Sequence, residues 1–382
     1  VHSARTSTRR AEKLLEQAPS TLLLGARSAQ LDGNETEARG KFKQMLQHKE
    51  TEFLGLRGLL GQAIQDGDRE EALRIAKKAY LRRPNTPWVL TTLFDLQTEM
   101  GDWREAMATV NDMARQKLIN AETANRHRAI LAHLQAEKRE EEERYQEAFE
   151  NAKKAHKLLP GLAPIAVTAA RIAVKLEKHR AAKKILETSW KAQPHPALAR
   201  ALAGQNHGQT PTERYRTFER LHQLNPNHLE GELALAEQAV AAEQWPAARE
   251  ALERAVRLGA TASVYRMFAD VERATGGDAD KIQGWLAKAV DAPSDPTWIC
   301  RATGETRARW SAFGPDGKFD SLRWGSPPTI VPMLSADAPA ELILPDTTRD
   351  VPKRNESDEL SVAPTRAAPS VDGERADKVD AA

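Results

Sequence analysis

The chain has 382 residues, a net charge of +2, 40% hydrophobic residues and only 5% aromatic ones. No run of 18 or more apolar residues occurs, so no segment reads as a membrane-spanning helix, and the single cysteine, Cys300, excludes an internal disulfide framework. Residues 325–382 hold six basic and eleven acidic side chains, net −5, which leaves +7 on the rest of the chain, interleaved with Glu and too diffuse to suggest nucleic-acid binding.

In chain order, residues 1–10 are rich in Arg and Ser without a signal-peptide core. Residues 9–18 look like the second helix of a unit whose first helix is missing, an end that would expose apolar surface, so the chain is expected to begin inside a longer protein. From there a ruler takes over. Gly33, Gly67 and Gly101 are spaced by 34, and so are Ala38, Ala72 and Ala106. A fixed period of that length, with a small residue five positions after an inter-helix Gly, is the sign of a tetratricopeptide array. Each Gly ends one helix; Asp68 and Asp102 are placed to cap the next, with Glu in the first turn facing the positive end of the dipole. Ala79 and Met113 follow seven residues after Ala72 and Ala106 on the same face, and Pro84 stops the second helix.

The same offsets recur at Ala148, Ala155 and Pro160, then at Ala182 and Pro194, and again at Trp245, Ala248 and Ala255. The step from Ala106 to Ala148 is 42, so one unit carries an insertion of roughly two helical turns. The charged run 137–144 falls there and reads as a solvated helix extension. A polar break lies between Gln205 and Pro211, the helix after it ends at Asn225-Pro226, and a last hairpin spans about 263–290, broken at Gly276-Gly277-Asp278. No strands are expected, since no long alternating Val, Ile and Thr segment occurs. The fold class is therefore all-α: a tetratricopeptide superhelix, a right-handed α-solenoid, over 1–295. An aromatic segment follows at 296–324, and 325–382 is a Pro-rich acidic tail that cannot bury enough apolar area to order itself.

Catalysis has no constellation to stand on, neither a Gly-x-Ser-x-Gly elbow nor a phosphate loop, and an enzyme is not expected. If the array binds other proteins, the inner faces of the first helices carry recognition. The repeat register puts Arg27, Arg57, Trp88, Asp95, Arg171, Lys175 and Glu237 there, and Arg and Trp dominate interface energetics. Trp103 and Trp245, at the start of second helices, read as packing residues. His127 and His133 differ by six and share no helix face, so they do not chelate. His195, between two prolines, reads mainly as a structural turn.

Four strings go beyond a generic repeat. They are Thr51-Glu52-Phe53-Leu54-Gly55-Leu56-Arg57-Gly58-Leu59; Pro194-His195-Pro196-Ala197-Leu198-Ala199 after Trp190; Asn225-Pro226-Asn227-His228-Leu229-Glu230; and Asp295-Pro296-Thr297-Trp298-Ile299-Cys300, with Phe319-Asp320-Ser321-Leu322-Arg323-Trp324. In that order they resemble the HemY family, proteobacterial membrane proteins named for their place in heme-biosynthesis operons, and the end is similar to alphaproteobacterial members. The resemblance implies an inner-membrane protein whose N-terminal membrane helices are missing here and whose soluble arm faces the cytoplasm. It implies no settled activity. It suggests partners among tetrapyrrole-pathway enzymes, or, in a second reading, a porphyrin or heme carrier with His195 as a ligand. In relatives the stretch from Trp298 resembles a zinc knuckle of two Cys-x-x-Cys pairs. Here only Cys300 remains, Thr303 stands at the second position, and the other pair has become a Gly-Pro-Asp turn, so neither a metal nor any other cofactor is expected. Trp298, Trp310, Phe313, Phe319 and Trp324 are expected to supply the cohesion instead.

Overall fold

The computed structural model describes residues 19–205 and 208–327. The half-repeat expected at 9–18 and the tail from 328 onward lie outside the described residues. Within them, sixteen helices form eight consecutive hairpins. These are α1 (Pro19–Leu31) with α2 (Glu35–Met45), α3 (Glu52–Gln65) with α4 (Arg69–Arg82), α5 (Pro87–Glu99) with α6 (Trp103–Arg115), and α7 (Ala121–Glu141) with α8 (Tyr145–Leu158). The series continues with α9 (Ala163–Lys175) and α10 (His179–Ala192), α11 (Pro196–Gln205) and α12 (Pro211–His222), α13 (Leu229–Ala241) and α14 (Trp245–Gly259), and α15 (Ala262–Ala274) and α16 (Ala279–Asp291). Each helix packs on the next in the chain except at α11, which packs on α9, α10 and α13 and not closely on α12; this neighbour-to-neighbour pattern is that of a tetratricopeptide solenoid.

Two devices set the hairpins. The first is the turn between paired helices: Gly33, Gly67 and Gly101 have φ of +72°, +74° and +76°. The same turn position in later units holds Glu143, Glu177 and Glu243, also left-handed, at a cost that an L side chain pays and Gly does not. The second is the absence of bulk five residues on. Ala38, Ala72, Ala106, Ala148, Ala182 and Ala248 are all fully buried, so each pair of helices closes to contact. Helix starts are capped by Asn34, Asp68 and Asn120 and by a Thr210/Glu213 capping box. Asp102 departs from expectation, for its side chain makes no cap bond.

The insertion is the long helix α7, 21 residues. Its charged run is not simply solvated. Glu140 is buried and accepts from Arg171 at 2.5 Å and Lys175 at 3.0 Å, so the extension is tied to α9.

After α16 the chain forms three short strands, a departure from the expectation of none. They are β1 (Thr297–Cys300), β2 (Thr306–Arg307) and β3 (Leu322–Gly325), antiparallel in the order β2-β1-β3. Strands this short have no periodicity that a sequence could display. Their module folds back on the middle of the array: Trp298, Cys300, Ala312 and Leu322 share a core with Ala129 and Ile130 of α7 and Ile165 of α9. Phe319 meets Phe94 of α5 and His127 of α7 edge-on, at 5.3 and 5.5 Å.

Glycines at the α2/α3 contact give a stability test. A Cβ on Gly58 would lie 2.3 Å from the Phe42 ring, whereas one on Gly61 meets nothing within 4 Å. Gly58→Ala is expected to destabilise by about 1–3 kcal/mol through overpacking, and Gly61→Ala to stabilise by about 1 kcal/mol through helix propensity. Urea titrations followed by circular dichroism measure both; equal effects would mean that α2 and α3 are not in contact at Gly58.

Candidate functional site

The first helices of the hairpins, the odd-numbered ones, carry most of the expected recognition residues, and the structure sorts them into three regions. At the N-terminal end Arg27 and Arg57 line one cavity of about 240 Å³ between α1, α2 and α3. The Arg57 guanidinium sits 5.4 Å from the centre of the Trp88 ring. Trp88 packs on Phe53 at 5.4 Å, and Arg83 stacks over the other side of this group, 4.7 Å from the Phe53 centroid. Arg27 and Arg57 are exposed and Trp88 is half-buried, so cation and ring edges both reach solvent. Three residues from three separate repeats thus form one cationic and aromatic surface. Phe53 and Arg83 belong to it and were not anticipated; Phe53 lies one turn before Arg57 on the same helix face, a spacing that could have announced it.

In the middle, the face is covered by the β module. Asp320, 4% exposed and itself in a left-handed conformation, accepts from Arg126 Nε through both oxygens at 2.9 and 2.7 Å. Arg301 donates to the Asp320 carbonyl and its charge lies 3.7 Å from the carboxylate. Asp95, on α5, stands near Lys318 of the module. Desolvation and then Glu99 push its carboxyl above the usual range, and Lys318 pulls it back. Arg171 and Lys175 are spent on Glu140, and Lys175 also lies 5.0 Å from the Tyr145 ring. They therefore brace α7 against α9, a role different from the free contact side chains expected of them.

At the C-terminal end Glu237 lines a cavity of about 220 Å³ together with Glu230, Asp295 and Arg200. Glu230 is buried there. Desolvation and then the neighbouring Asp295 push its carboxyl up to about 7, against a smaller opposing pull from Arg200.

His195 is seated at the start of α11. Its Nδ1 accepts the Ala197 backbone N–H at 3.0 Å, capping α11, and its Nε2 is buried without a partner. The ring is covered by Trp324 at 4.1 Å and Trp298 at 5.7 Å. His228 repeats the device one unit later, its Nδ1 accepting from Glu230 N at the start of α13.

The knuckle remnant consists of two similar turns. Gly304 and Gly317 close them at φ of +73° and +71°, with Glu305 N donating to Thr303 Oγ1 and Lys318 N to Asp316 Oδ1. By this correspondence Phe313 and Asp316 occupy the second pair of positions. Ser321 Oγ donates to Asp316 Oδ1 at 2.7 Å and lies 3.9 Å from Cys300 Sγ. A hydrogen bond from the Thr303 side chain holds the Cys300 thiol below its ordinary pKa. One thiol, hydroxyls, one carboxylate and a phenyl ring do not make a thiolate zinc site, and Ser321 fills the place where a side chain at Gly314 would stand. Among the described residues no group of three His, Cys, Asp or Glu is placed to hold a metal ion.

With the geometry in place, the comparisons fit it. The tetratricopeptide repeat family profile matches residues 63–118 and 140–205. Those two stretches are tetratricopeptide repeats. A probable magnetosome protein, Mms48 of Magnetospirillum gryphiswaldense, is 28% identical over 153 residues, 40% of this chain and 34% of its own. The chain thus matches about a third of that relative's length. A tetratricopeptide repeat protein from Parabacteroides merdae aligns over 63% of this chain and 93% of its own, at 16% identity and a TM-score of 0.29. Yeast Tom70 aligns over 71% and 68%, at 15% identity and 0.30.

Burial also sets a pH dependence. Desolvation, with a smaller repulsion from Arg171 and Arg200 respectively, lowers His133 and His195 to about 4. Between pH 6.5 and 4 the unfolded chain binds these protons and the folded chain does not, so their contribution to stability is lost as pH falls through that window. Imidazole NMR shifts are expected to titrate near 4 in the folded protein and near 6.5 in urea; folded-state midpoints near 6.5 would mean that the module does not cover them.

Proposed function

We propose that this protein is a non-enzymatic scaffold that holds partner polypeptides on its first-helix face, with recognition concentrated at the Arg27, Arg57 and Trp88 surface. The observation that carries this reading is the stack of Arg57 on Trp88 beside Phe53 and Arg83, two exposed guanidinium planes on two half-buried rings from adjacent repeats. Such groups bury large area at low entropic cost. The middle of the face is already occupied by the chain's own module, so partners dock to the N-terminal side of it. The acidic cavity at Glu230, Glu237 and Asp295 provides a second, oppositely charged contact.

The finer setting rests on sequence. The resemblance of four strings to the HemY family motivates an inner-membrane protein with its repeats on the cytoplasmic face and partners among tetrapyrrole-pathway enzymes, gathered by raised local concentration. The similarity to the Magnetospirillum relative is compatible with the scaffold reading and assigns no compartment.

Affinity capture from membranes, with the protein expressed behind its natural upstream sequence, tests both levels. A partner set recovered by the wild type is expected to fall at least tenfold with Arg57→Glu and with Trp88→Ala, and to be retained by Arg309→Glu on the exposed side of the module. Loss with all three, or with none, would contradict the assignment of recognition to the N-terminal surface. A recovered set without tetrapyrrole enzymes would remove the pathway while leaving the surface.

A further inference from the structure

We propose that the cavity of about 400 Å³ between the β module and the N-terminal ends of α7, α9 and α11 binds a small organic anion with an aromatic body. Its carboxylate or phosphate is held by Arg126, Arg301 and Arg323, and its ring lies against Trp298 and Trp324. This is independent of the protein-binding reading, since none of these residues belongs to the N-terminal surface.

Size and charge argue for it together. The volume falls within the usual range of small-molecule sites, roughly 300–1,000 Å³, and is far too small for a folded partner or a nucleic-acid duplex. Three guanidinium groups line it. Asp320 answers only part of that charge, because its single carboxylate is shared: Arg126 spends Nε on it, and Arg301 lies 3.7 Å away. Arg323 has no ion-pair partner among the described residues. Glu122 is the one acid on the cavity wall, so an excess of positive charge remains where guanidinium planes offer forks suited to carboxylate or phosphate.

The backbone adds to this. Gly161, Leu162 and Ala163 also line the cavity at the start of α9, a helix whose N-terminus has no side-chain cap and whose first N–H groups favour an anion. The remaining wall is aromatic. Trp298 and Trp324 stand edge to face at 5.2 Å, and the buried His195 ring beside them has an Nε2 without a partner. A purely inorganic anion would leave those rings unused, and a neutral aromatic would leave the arginines unanswered.

Isothermal titration calorimetry on the whole chain separates these possibilities with four probes: naphthalene-2-carboxylate, 2-naphthyl phosphate, naphthalene-2-methanol and inorganic phosphate. Saturable one-to-one binding is expected for at least one of the two naphthyl anions, and which one binds more tightly tells a carboxylate from a phosphate ligand. The neutral alcohol and inorganic phosphate are expected to bind at least tenfold more weakly. Arg323→Gln, which keeps the β3 backbone pairing at an exposed position and removes no ion pair among the described residues, is expected to weaken the anion roughly tenfold with an unchanged melting curve, the loss of about one charge-assisted bond. Glu122→Gln is expected to tighten it several-fold. Binding of the alcohol or of inorganic phosphate as tight as that of the naphthyl anions, an unchanged affinity in Arg323→Gln, or no heat with either naphthyl anion at millimolar concentration would overturn the proposal.

Discussion

A buried carboxylate joins the two parts of this molecule. Asp320 lies beneath the turn of the C-terminal module and is met by Arg126 from α7 and Arg301 from the module itself, with His127 Nε2 3.9 Å away. A charge so placed is tolerable only with its cations in position, so the pair specifies where the module sits as much as how firmly. Around it the apolar contacts follow: Phe319 on Phe94 and His127, Trp310 on His133, and Trp298 and Trp324 on His195. Every one of these histidines has its pKa lowered chiefly by desolvation, the electrostatic mark of the same cover.

The consequence for function is a divided face. A tetratricopeptide array offers its first helices to partners in sequence, but here α5, α7, α9 and the start of α11 are engaged by the chain's own strands. What remains open is a cationic and aromatic surface toward the N-terminal side and an acidic cavity toward the C-terminal side. The module that closes the middle holds a single thiol, too few for a thiolate zinc site, and its cohesion comes from aromatic burial and from the Cys300, Ser321 and Asp316 contacts.

The array was legible in the sequence because its rule is local. A left-handed turn followed five residues later by a fully buried small residue repeats, and Gly and Ala are the residues those two positions favour. The Gly half of the ruler fades after Gly101, since Glu143, Glu177 and Glu243 adopt the same turn; the Ala half persists at Ala148, Ala182 and Ala248. Arg57 and Trp88 lie on the first helices of adjacent repeats, where the register placed them, and their side chains meet. The module's docking was not legible. Arg126 and Asp320 are 194 residues apart in sequence, and no periodicity connects them. The pairing of Arg171 and Lys175 with Glu140 was not readable either, because Glu140 sits inside a charged run that looks solvated when read one residue at a time.

Amide hydrogen exchange on the whole chain carrying Asp320→Asn tests the seating of the module most directly. Removing the carboxylate's charge leaves Arg126 without its counter-ion. Faster exchange is expected in β1, β3 and the module-facing turns of α7, with α1 to α4 unchanged. Protection identical to the wild type throughout the module and α7 would contradict the claim that this ion pair holds the strands against the array.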